Sequence, residues 1–116
     1  MKDNVVKDKS LEFAVRIVNL YKFLVNEQKE FVMSKQILRS RTSIGANIRE
    51  AEQAQSRADF INKLNIALKE ANETEYWLEL LIRTEYITRE QYESINNDST
   101  EINKLLISII KTTKNY

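Results

Sequence analysis

Arg39-Ser40-Arg41-Thr42-Ser43-Ile44-Gly45-Ala46-Asn47-Ile48-Arg49-Glu50-Ala51 is the stretch on which the reading of this chain turns. Ile37, Ile44, Ile48 and Ala51 recur at helical spacing and fall together on a wheel turned by about 100° per residue. Arg39, Ser43, Asn47 and Glu50 gather on one flank of that stripe. Arg41, Gly45, Arg49 and Glu52 gather on the other. An ordinary packing helix rarely surrounds its apolar face with so many polar positions. Gly45 is the single glycine of the chain and costs about 1 kcal/mol relative to alanine inside a helix. A close helix approach or a ligand would account for it, and so would simple tolerance of one weak residue.

The same period continues outward from this segment. A first helix is predicted from about Ser10 to Gln28, with Ser10 as N-cap and an apolar stripe of Leu11, Ala14, Val15, Val18, Tyr21, Leu24 and Val25. The second is predicted from Ser34, its cap, to Gln55. The third runs from Arg57 to Arg83 behind a Ser56 cap, with Phe60, Leu64, Ala67, Leu68, Ala71, Leu78, Leu81 and Ile82 inward. The fourth begins after Thr88, where Thr88 and Gln91 have capping-box spacing, and buries Tyr92, Ile95, Ile102, Leu105, Leu106, Ile109 and Ile110. Asn96-Asn97-Asp98-Ser99 are poor helix formers and predict a local irregularity. Residues 1–9 are expected to form a flexible N-terminus, and 10–116 a single domain. No stripe is stable alone, and short links make neighbours antiparallel. The expected fold is all-α, an antiparallel up-down-up-down four-helix bundle.

Composition narrows the functions open to such a bundle. The 116 residues include no proline, no cysteine and no histidine. Disulfides, thiol nucleophiles, Cys/His zinc sites and histidine bases are excluded. Glu-x-x-His metal sites of bundle proteins are excluded with them. No nucleophile–base pair or phosphate loop stands out, so an enzyme is not expected, and neither is a cofactor, a metal or a small-molecule substrate. No apolar run is long enough to cross a bilayer and no signal peptide opens the chain, so no membrane association and a cytoplasmic location are expected. The net charge of +1 does not indicate a strongly basic nucleic-acid binder.

Charge is nonetheless uneven. Ser34 to Arg49 carries Lys35, Arg39, Arg41 and Arg49 and no acid, whereas Glu70 to Glu101 is predominantly acidic. These four basic residues are the candidate nucleic-acid contacts. They equally suit pairing with third-helix glutamates or head-to-tail association of copies. Ser43, Asn47, Glu50, Glu73 and Glu75 are the candidate members of a structural polar network. Glu75 falls within the third helix's apolar stripe and is expected to be the buried carboxylate. Ile66, Trp77 and Leu80 form a second apolar flank on that helix, read either as a subunit interface or as the edge of a broad core-facing arc.

Ser43-Ile44-x-x-Asn47-Ile48-x-Glu50, followed by Ser56-Arg57-Ala58-Asp59-Phe60 and by Glu73-x-Glu75, resembles the four-helix-bundle proteins encoded in 23S ribosomal RNA intervening sequences. The resemblance covers most of the chain from Ser10 onward. The family's motif glutamate is usually followed by glycine, where this chain has Ala51. The resemblance implies a homo-oligomer, a ring-like pentamer, with no established enzymatic activity. It also implies kinship with a bundle that assists a retroelement reverse transcriptase through a basic surface engaging protein and RNA. The function expected is a non-catalytic oligomeric adaptor with an RNA or ribonucleoprotein partner. The alternative is a purely protein-binding scaffold with no nucleic-acid role.

Overall fold

Apolar residues at three- and four-residue spacing make four helices, α1 (Lys2–Asn26), α2 (Met33–Glu52), α3 (Arg57–Arg83) and α4 (Arg89–Lys114). The computed structural model describes residues 2–115, with side chains for 5–115. The helices pack in the cyclic order α1, α2, α3, α4, each against its two neighbours, and among the described residues the diagonal pairs do not meet. Ion pairs set the direction. Lys7 near the start of α1 and Lys63 near the start of α3 both reach the end of α2, at Glu52 and Glu50. Adjacent helices are therefore antiparallel, in a bundle of 47 × 21 × 19 Å. Ile17, Leu24, Ile37, Ile44, Leu78, Leu81, Ile102 and Leu106 fill its axis. Each such side chain contributes about 1.5–3 kcal/mol on burial, which no exposed ion pair approaches.

Several local expectations are corrected. The helix runs through the stretch expected to be a flexible N-terminus, from Lys2 onward, with Val6 buried in the core about two turns before Phe13. Residue 1 lies outside the described residues. Ser10 is not a cap but a mid-helix residue, buried and donating to the Lys7 carbonyl. The core face of α1 is Phe13, Ile17, Leu20 and Leu24, while Leu11 and Val15 point outward. That helix is apolar on two sides, so period alone does not choose between them. The Asn96–Ser99 run stays helical. Arg16 holds Asp98 in an ion pair and donates to Ser94, and Ser99 donates to Glu75, so contacts with α1 and α3 outweigh weak propensity.

The ends of the helices carry the remaining local instructions. Ser56 accepts from the Asp59 amide, and Thr88 with Gln91 completes a capping box. Ser34 does not cap α2. Glu30 does, its carboxylate accepting from the amides of Val32, Met33 and Ser34 at 2.7–3.1 Å. The links contain no glycine, so Lys29 and Glu85 take left-handed φ of 54° and 65° at the ends of α1 and α3, positions where glycine is the usual occupant.

Burial raises the proton affinity of the Glu30 carboxyl. The amides of Met33, Ser34 and Val32 outweigh it, and the group sits below its ordinary range. Glu30→Ala should cost about 0.5–2 kcal/mol at pH 7. A carboxyl depressed in the folded state stabilises above its unfolded pKa and ceases to do so as pH falls through its folded pKa. The gap between wild type and variant in urea unfolding should therefore shrink in acid.

Candidate functional site

Four residues of α2 were candidates for a basic surface, and the fold separates them. Arg41 lies at i+4 from Ile37 and i−3 from Ile44, on the core-facing stripe rather than on its flank. It is 1% exposed. Its guanidinium carbon stands 2.9 Å from the centroid of the Phe13 ring on α1, a cation–π contact in a desolvated setting. Nε, Nη1 and Nη2 are buried and donate to no described residue. Burial pushes this guanidinium down to about 8, against the upward pull of Asp98 on α4 and Glu75 on α3. It keeps its charge at neutral pH and is enclosed by all four helices. Arg41 is thus corrected from a phosphate contact to a core residue. The signal was its spacing, 37–41–44–48, which its residue type obscured.

Arg39 is exposed but engaged. It donates to Glu73 at 2.6 Å and lies 4.0 Å from Glu70, tying α2 to α3. Lys35 and Arg49 face solvent on α2 and form no ion pair among the described residues. Of the candidate basic surface, these two remain available to a partner.

The candidate polar network falls into separate pieces. Asn47 donates to the Ser43 carbonyl at 2.9 Å and to its hydroxyl at 3.3 Å, a bond within one helix. Glu50 is exposed and pairs with Lys63 at 3.6 Å. Glu73 serves Arg39. Glu75 is half-buried on the far side of α3, accepting from Asn103 at 2.9 Å and Ser99 at 3.4 Å. The network expected to join these five is therefore corrected to four local clusters, because Asn47 bonds within α2, Glu50 turns to Lys63, and Glu73 and Glu75 look toward different neighbouring helices. Gly45 has no positive φ, and a Cβ there would meet only the Ser10 hydroxyl at 3.9 Å, so neither backbone strain nor close approach requires glycine.

Trp77 packs against the chain's own core, with its indole N–H buried and without a partner among the described residues, and Ile66 and Leu80 on the same flank of α3 are half-buried. The neighbouring Tyr76 is 58% exposed and meets the Trp77 ring edge-on at 5.2 Å. Sequence reasoning missed Arg16, which bridges α1 to Asp98 and Ser94 on α4. Partners 78 and 82 residues apart leave no local trace. Among the described residues no cluster of three or more acidic side chains could hold a metal, and no helix is long and apolar enough to cross a membrane.

An antiparallel four-helix bundle whose second helix carries Ser43-Ile44-x-x-Asn47-Ile48-x-Glu50 defines a narrow class of small helical proteins. The chain belongs to the 23S rRNA-intervening sequence protein family, whose model matches residues 2–108. It is similar to a protein of unknown function from the S23 ribosomal protein family of Bacteroides thetaiotaomicron VPI-5482, whose crystal structure was determined at 1.70 Å. The two are 99% identical over 96% of this chain and 99% of that one, with a TM-score of 0.95. No curated protein matches the chain.

Replacing Arg41 by methionine removes a buried charge while leaving Asp98 paired with Arg16 and Glu75 with Asn103. Arg41→Met should raise stability by about 1–4 kcal/mol, whereas Arg41→Ala, which opens a cavity, should not. Above pH 8 the unfolded chain binds more protons at this position than the folded one, so wild-type stability rises and its deficit to Arg41→Met narrows. Urea unfolding across pH 7–10 measures both effects. Gly45→Ala should add about 0.5–1 kcal/mol in the same assay.

Proposed function

We propose that this protein is a non-catalytic adaptor that self-associates into a ring, the pentamer implied by its family resemblance, and presents α2 to an RNA or ribonucleoprotein partner. The observation that carries the reading is apolar surface left exposed on two opposite helices, a pair of residues on one and a tyrosine on the other. Leu11 and Val15 on α1 are 53% and 55% exposed, and Tyr76 on α3 is 58% exposed. These helices are diagonal in the bundle, so the patches point away from each other. They also lie at one height: Lys9 and Arg16 on α1 reach Glu101 and Asp98 on α4, while Glu75 on α3 accepts from Ser99 and Asn103. A contact between opposite faces at equal height has no rise along the bundle axis. Contacts at equal height do not climb into a helical filament, and they close into a ring where each one also turns the next copy by a fixed fraction of a circle, the turn that the family resemblance implies.

Lys35 and Arg49 support the RNA arm of the reading. Both lie on the solvent side of α2 with no ion pair among the described residues, and a ring would repeat them once per copy, which turns a weak patch into an avid one. Binding of this kind is electrostatic and falls steeply with salt. The alternative, a scaffold for proteins alone, rests on the same apolar patches and on the loss of Arg41 and Arg39 to intramolecular roles.

Light scattering at micromolar concentration should give a multiple of the 13.7 kDa chain mass, and Leu11→Glu/Val15→Glu should reduce it to a monomer without lowering the melting temperature. A wild type found only at the chain mass would remove the ring. RNA binding should weaken as salt rises and should be lost in Lys35→Glu/Arg49→Glu. Equal binding by both proteins, or none by either at low salt, would leave the protein scaffold.

A further inference from the structure

The end of the bundle where α1 and α3 begin and α2 and α4 finish carries an open depression over the last layer of the core. A cavity of about 570 Å³ opens there, lined by residues of all four helices. That volume falls within the roughly 300–1,000 Å³ of small-molecule sites. Its floor is the end of the core itself, made by Val6, Ile48, Leu64 and Ile109, with Phe60 on one side. The link from α2 to α3 passes over it carrying Ala54, whose side chain is too small to fill the space.

Polar groups are confined to the rim, at Glu52, Ser56, Arg57 and Thr113. Their charges do not cancel. Glu52 is neutralised by Lys7 at 3.1 Å. Arg57 is exposed and forms no ion pair among the described residues. An apolar interior therefore sits beneath one positive charge that forms no ion pair among the described residues, with Thr113, whose hydroxyl donates to the Ile109 carbonyl, across the opening.

We propose that this cavity binds a small amphiphile with a carboxylate head. The hydrocarbon tail lies against Phe60 and Ala54, over the floor closed by Val6, Ile48, Leu64 and Ile109, and the carboxylate pairs with the Arg57 guanidinium in a charge-assisted hydrogen bond. Tail and head make separate contributions. Each methylene buried tightens binding by up to about fourfold. The head group's pairing with Arg57 is worth about tenfold and discriminates against a cation. The site is remote from the α1 and α3 patches and from Lys35, so it stands whether or not the ring forms.

Isothermal titration of the full chain with octanoate, decanoate, decanol and decyltrimethylammonium tests this assignment. Decanoate should saturate at one per chain and bind more tightly than octanoate. Decyltrimethylammonium should bind at least tenfold more weakly than decanoate. Arg57→Gln should weaken decanoate about tenfold and leave decanol unchanged. Ala54→Phe, which fills the space from the link, should abolish binding of both at an unchanged melting temperature. No saturable decanoate binding would overturn the site. Equal affinity for decanoate and decyltrimethylammonium, or an Arg57→Gln variant that binds decanoate as the wild type does, would overturn the carboxylate assignment.

Discussion

The inward face of α2 has to lie against α1 on one side and α3 on the other, and the rest of the bundle is arranged around that contact. Ile37, Ile44, Ile48 and Ala51 supply its apolar part and are almost wholly removed from water. Arg41 sits among them, so a charge is carried into the middle of the molecule with the helix. The ring of Phe13 receives the guanidinium face, and Asp98 and Glu75 pull on its charge from the two remaining helices. Neither acid is free to collapse onto it. Arg16 holds Asp98 at the surface, and Asn103 and Ser99 hold Glu75. A buried charge of this sort is weak evidence for stability. What it does here is connect all four helices through one side chain.

The links show the same economy. A chain without proline and with one glycine must turn three times using ordinary residues. It does so by placing Lys29 and Glu85 in the left-handed region and by spending side chains on caps. Glu30 satisfies three amides at the start of α2, more than one serine hydroxyl could. The only glycine is in the middle of α2, where no positive φ and no crowding calls for it. Glycine is thus absent where backbone geometry favours it and present where that geometry is indifferent.

The surface divides into charges already spent and groups still available. Arg39, Arg16, Lys7, Lys9 and Lys63 each close a bridge between helices, so five of the chain's 18 basic residues serve its own register. Individually these exposed bridges contribute little, but their spacing fixes which turn faces which. Left over among the described residues are Lys35 and Arg49 on α2, the exposed Lys22, Lys29, Lys69, Lys104, Lys111 and Lys114, the outward apolar residues of α1 and α3, Phe31 and Val32 in the first link, and the open end of the core at Arg57.

The sequence by itself determined the helix count, the third helix from Arg57 to Arg83, the caps at Ser56 and Thr88, and the antiparallel order. Each follows from local rules: 3.6-residue periodicity, a side-chain oxygen at a helix start, and links too short for anything but reversal. The family was legible too, because its motif lies within about two turns of α2. Only the tertiary structure decided which of two apolar faces of α1 turned inward, that Arg41 is core while Arg39 is surface, and that Glu73 and Glu75 serve different neighbours. A wheel places residues relative to one another on a single helix. It does not say how that helix is rotated against its partners, and a rotation of one residue step, about 100°, exchanges flank for core.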